Sequence, residues 1–147
     1  MDPRLESFLI GKSSKLSLRY LGYSVILMAL FFGQLYLAGN SEVGNAFASS
    51  VTPLGVAVLA VVLAGIHAYR NDGMLVSIAV AVIIVSGSTL YAVTALNHPQ
   101  PDYGLLTGVG TAILYGVPIG IISATVAYAL RRFSPSQSLV VSEKKWK

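Results

Sequence analysis

The sequence predicts an all-α polytopic membrane protein, a four-helix transmembrane bundle with both termini cytoplasmic, and three observations carry that reading. Four apolar runs, at about 18–38, 53–69, 74–96 and 104–130, are separated by short polar connections. Hydrophobic residues make up 54% of the 147 positions and charged residues 11%, where a soluble domain carries about a quarter charged; the solvent for most of this chain is lipid. Lys and Arg fall before or at the start of the first run, in the turn after the second, and at or beyond the end of the fourth, while the two opposite connections hold none. The positive-inside rule then puts both termini and the Arg70 turn in the cytoplasm, as a multi-pass protein of the cell membrane.

Residues 1–17 form a cytoplasmic N-terminal segment. Leu5, Phe8 and Leu9 share one helical face, Asp2 and Pro3 suit a helix start, and Gly11 suits its stop. This pattern fits either a small amphipathic helix on the membrane surface or a frayed terminus. The transmembrane domain covers 18–132. Its first span has Tyr20 and Tyr23 near one end and Tyr36 near the other, as rings at headgroup depth do. It is too long for a signal-peptide core, and the small residues Ala46 and Ala48 lie too far beyond it to serve as a cleavage site.

Gly39 to Ser50 reads as a polar loop, and Thr52 followed by Pro53 as the cap and first turn of the second span. Arg70-Asn71-Asp72-Gly73 is a tight turn in which Gly73 is expected to take the left-handed conformation, making spans two and three an antiparallel hairpin. The third span is rich in Val and Ile, but its unbroken length makes a helix the sound choice in lipid, with Ser77, Ala81, Ser88, Ala92 and Ala95 on a small, polar-tinged face. Pro99 and Pro101 stiffen the next connection. In the fourth span Pro118 removes the hydrogen bond to the Leu114 carbonyl and should bend the helix. Residues 133–147 are a Ser-rich basic cytoplasmic tail, expected to be flexible.

The strongest local pattern lies in the fourth span, where Gly104, Gly108, Ala112, Gly116, Gly120 and Ala124 recur every fourth position. Residues four apart stack on one helix face, so these make a groove that another helix backbone can enter. The facing helix is either the third span or a helix of another subunit. A second group, Gln34, Ser88, Thr111 and Tyr115 with Ser86, Thr89 and Thr107, shares the outer half of the bundle; it reads as interhelical hydrogen bonding or as a small polar pocket with His98 and Asp102 at its mouth. His67 shares the small-residue face of the second span with Ala60 and Ala64, so it should point inward near the cytoplasmic surface. There it is a titratable candidate whose expected partners are Tyr69, Asp72 or a backbone carbonyl.

Several chemistries lack their residues. Without cysteine there is no disulfide and no thiolate chemistry. No Asp, Glu, Lys or Arg lies at hydrocarbon depth, which weighs against ion coupling by side-chain protonation. No phosphate loop, metal-ligand spacing or nucleophile triad is legible, so no catalytic residues, no cofactor, no metal and no nucleic-acid partner are expected. The leading expectation is a non-enzymatic helix-association or accessory subunit in the lipid bilayer, a homo-oligomer or a partner of a larger membrane protein through the fourth-span seam. A small channel or facilitator is the alternative, and a membrane-embedded haem protein or enzyme using His67 the third.

Overall fold

The computed structural model describes residues 8–38, 42–94 and 104–133, with 42–52 and 94 as backbone alone. These residues are mainly helical, without strands, and four helices are long and apolar enough to cross a membrane. We number them α1 (Ser14–Ala38), α2 (Glu42–Asn71), α3 (Met74–Thr94) and α4 (Leu105–Phe133). The expected tail and the 95–103 connection, with Asp102 and His98, lie outside the described residues.

Helix α1 begins four residues before the expected span because Ser13 caps it: the Ser13 hydroxyl accepts from Leu16 N at 3.4 Å and its carbonyl from Ser17 N at 3.1 Å. Its inward face, Ser17, Tyr20, Ser24 and Leu35, follows the three-and-four spacing of a helix. Helix α2 starts at Glu42, eleven residues ahead of the expected start at Pro53, so Pro53 lies inside it rather than in its first turn. A proline deletes one hydrogen bond, to the carbonyl four residues back, but a helix in a bundle can run on past that single loss.

The turn after α2 differs from expectation in which residue is left-handed. Asp72 has φ 59° and Gly73 does not have a positive φ. An aspartate tolerates that region better than most residues, and Gly73 is needed for another reason. A Cβ there would stand 2.7 Å from the Ile10 carbonyl oxygen and 2.9 Å from His67 Cε1. Gly73 also caps α3, accepting from Ser77 N at 3.0 Å.

Helix α3 is the most enclosed, with Val80, Ala81 and Ile84 fully buried among residues of the other helices. It touches α1 closely at Gly87, where a Cβ would meet the Met28 carbonyl oxygen at 2.6 Å. It also fills the α4 groove. A Cβ on Gly116 would lie 2.5 Å from Val82 Cα, one on Gly120 2.5 Å from Ile78 Cα, and one on Gly108 2.8 Å from Val93 Cγ2. Four residues along α4 match four residues back along α3, the register of an antiparallel pair. Ala112 and Ala124 are buried beside them, whereas Gly104 is exposed with nothing within 4 Å of its Cβ position.

Candidate functional site

The end of the bundle where α1 starts, α2 turns into α3 and α4 finishes holds a buried polar cluster around His67 and Asn71. The two are four residues apart on the last turn of α2, so they project from one face. His67, Ser77 and Asn71 are at most 1% exposed and Ser17 is 4% exposed.

Proton counting orders the cluster. Ser77 Oγ donates to the Gly73 carbonyl at 2.9 Å, so it accepts from His67 Nδ1, 2.8 Å away, and Nδ1 carries the hydrogen. Ser17 Oγ donates to the Ile10 carbonyl at 2.8 Å and accepts from Asn71 Nδ2 at 2.7 Å. His67 Nε2, 3.2 Å from Asn71 Nδ2 and 3.3 Å from Ser17 Oγ, is then the acceptor of the ring. This tautomer is assigned from the network. Tyr20 closes the remaining side edge-on, with ring centroids 5.2 Å apart. Neither Tyr69 nor Asp72, the expected side-chain partners, bonds the imidazole: Tyr69 is exposed, and the partners are Ser77 of α3 at Nδ1 and Asn71 of α2 at Nε2, with Ser17 of α1 packed beside Nε2.

Asn71 treats the chain before α1 as a strand would treat its neighbour. Its Oδ1 accepts from Ser13 N at 2.7 Å, its Nδ2 approaches Ser13 O at 3.0 Å, and its own carbonyl accepts from Lys12 N at 2.8 Å. Residues 8–13 are thereby docked on the bundle. Gly11 takes φ 102° to pass the site, and a Cβ on it would lie 2.8 Å from the Asn71 carbonyl oxygen. Phe8 stacks on Tyr128 of α4 with centroids 5.8 Å apart.

Next to this core, Asp72 joins three parts of the chain. Its carboxylate pairs with Lys12 at 2.5 Å and with Arg131, and its carbonyl accepts from the Tyr128 hydroxyl at 2.5 Å. Burial alone would push the Asp72 carboxyl up, but hydrogen bonds and charge from Lys12 and Arg131 outweigh it and hold the group below its ordinary value.

The outer polar residues do not converge in the same way. Ser88 Oγ donates to Val85 O at 3.0 Å, Ser86 Oγ to Ile83 O at 2.7 Å and Thr111 Oγ1 to Thr107 O at 2.8 Å, so these hydroxyls bond within their own helices rather than across the bundle. Ser88, Thr89 and Tyr115 border a side groove of about 300 Å³ with Pro53 and Ile119. Gln34 and Thr111 are not part of its lining, and both Gln34 and Tyr115 are exposed.

The polar hub at Ser13, Ser17, Asn71 and Ser77 does not stand out as a site in the sequence. A signal existed in Ser17, Tyr20 and Ser24 at helical spacing and in His67 with Asn71 at the end of a span. Three or more metal-ligand side chains do not gather anywhere among the described residues. Comparisons with protein-family models, curated proteins and solved structures return no match, so the functional reading rests on this geometry.

Proposed function

We propose that this protein is a non-enzymatic, multi-pass protein of the cell membrane that works by helix association, as a self-associating bundle or as an accessory subunit of a larger membrane protein, with both termini cytoplasmic. The observation that carries the reading is the outer face of α1. Gly22, Ala29 and Gly33 lie within about 40° of one another around that helix. They point away from the face that holds Tyr20 and Ser24, and the Cβ positions of Gly22 and Gly33 have nothing within 4 Å. The glycines at 87, 108, 116 and 120, by contrast, each have a neighbouring helix pressed on them. Because α3 occupies the α4 seam, a partner helix would need a different surface, and small residues on α1 allow close backbone approach.

The buried cluster supports a structural role for His67. Both ring nitrogens have protein partners within 3.3 Å and the ring is 0% exposed. Haem ligation or proton transfer to a substrate would require that packing to open. The one-sided placement of Lys and Arg supports cytoplasmic termini.

Association is tested on Gly22→Leu and Gly33→Leu, with Gly110→Leu as a control at an open position on α4. Cross-linking in native membranes should show an adduct that the α1 variants lose and the control keeps. An unchanged adduct pattern in both α1 variants, at unchanged melting temperature, refutes this surface.

A further inference from the structure

Helices α2 and α4 leave an open groove of about 640 Å³ along the half of the bundle that carries Asp72. It exists because its floor is small: Gly65 of α2 faces Ser123 and Ala127 of α4, and a Cβ on Gly65 would rest 3.8 Å from the Ser123 carbonyl oxygen. Val62, Ile66 and Val126 form exposed apolar walls. The Ser123 hydroxyl donates its hydrogen to the Ile119 carbonyl at 2.6 Å, so that hydroxyl has no free donor to offer a ligand.

One end of the groove is different. Arg70 and Tyr69 line it there. Lys12 and Arg131 are held by Asp72, but Arg70 is exposed and makes no ion pair among the described residues. From Val61 to Arg70 the groove runs about 13 Å along α2 at about 1.5 Å per residue. That is close to half of a hydrocarbon core of about 30 Å, the depth of one leaflet. An apolar channel one leaflet long, closed by a free guanidinium and an interfacial ring, has the polarity of a phospholipid laid along it. Its volume also falls in the range of roughly 300–1,000 Å³ typical of ligand sites.

We propose that this groove binds one anionic phospholipid, with an acyl chain along Gly65, Ser123 and Ala127 and the phosphate at the Arg70 guanidinium. A guanidinium suits phosphate because its planar fork donates two parallel hydrogen bonds. Basic pockets between membrane helices are a recurrent setting for acidic headgroups. The site uses a different surface from the α1 face and stands or falls independently of association there.

The test uses the full chain, purified and delipidated in mild detergent, with lipid retention read by native mass spectrometry. Phosphatidylglycerol and phosphatidylcholine with identical acyl chains are offered in turn, and inorganic phosphate as a competitor. The expected result is one tightly held phosphatidylglycerol, preferred over phosphatidylcholine and not displaced by phosphate. Arg70→Gln should lower that preference about fivefold, the worth of one basic residue near an anionic surface. Gly65→Leu should reduce retention of both lipids by filling the floor. Equal retention of the two lipids by the parent, or an unchanged preference in Arg70→Gln, overturns the proposal. Displacement by phosphate reduces the site to a surface anion contact and overturns it too. A change of oligomeric state in Gly65→Leu would identify the groove as a protein interface instead. If Gly65→Leu does not fold, the Arg70→Gln arm decides.

Discussion

Gly116 of α4 lies against the backbone of Val82 in α3, so near that a side chain on it would begin 2.5 Å from the Val82 Cα. In lipid there is little hydrophobic drive between helices, so such contact depends on dispersion between closely packed surfaces. Gly116→Leu and Gly120→Leu should therefore force α3 and α4 apart. Overpacking costs about 1–3 kcal/mol, and the melting temperature should fall with the oligomeric state unchanged. Gly110→Leu, at an open position on α4, should be near neutral. Dissociation to a stable smaller species in the Gly116 variant would contradict the intrachain packing.

Asn71 ties residues 12 and 13 to the α2–α3 turn by its side-chain amide and its carbonyl. Asn71→Ala leaves Ser13 N and Ser17 Oγ without that partner, at a cost of about 1–3 kcal/mol for groups left unsatisfied. Much of the loss should appear as local opening of residues 8–13. Trypsin should then cut after Lys12 faster than in the parent while α2 to α4 stay intact; equal cleavage rates would remove Asn71 from this role.

Acid should loosen the same end through Asp72. Its folded-state carboxyl is held below the ordinary value, so its contribution is fully present above about pH 4, the unfolded range, and is lost as pH falls through the depressed folded value. Asp72→Asn keeps the left-handed backbone tolerable and removes the charge. This variant should be less stable than the parent at pH 7, and the gap should narrow on acidification below about pH 4. A gap that stayed constant across that window would show that the ion pairs with Lys12 and Arg131 contribute nothing.

Orientation can be read by single cysteines, since the chain has none of its own. Ser14 and Gly104 are exposed at opposite ends of the bundle, at the start of α1 and of α4. On intact cells an impermeant maleimide should label Gly104→Cys and spare Ser14→Cys. Labelling of Ser14→Cys from outside would reverse the topology.

The features legible in the chain alone are those that depend on local, one-dimensional chemistry. Runs of apolar residues matched to the bilayer define four helices, whose ends agree with the expected spans to within a few residues except at the start of α2. Small residues every fourth position mark a face of α4, and the inward direction of His67 follows from Ala60 and Ala64 on the same helical face. The positions of Lys and Arg depend on the solvent at each end of a helix, so they too are visible in the chain. Which surfaces meet depends on how the helices are arranged around one another. The tertiary structure placed α3 in the α4 groove and left Gly104 outside it. It showed that Gly73 is small because Ile10 crosses it, with Asp72 taking the left-handed turn. It brought Ser17 and Ser77 to the two sides of one imidazole, residues 50 and 10 positions away from it in sequence. The physical reason is common to all of these: hydrogen bonds and close backbone approach between helices depend on rotation and register of whole elements, and lipid, unlike water, imposes almost no polarity pattern from which those could be read.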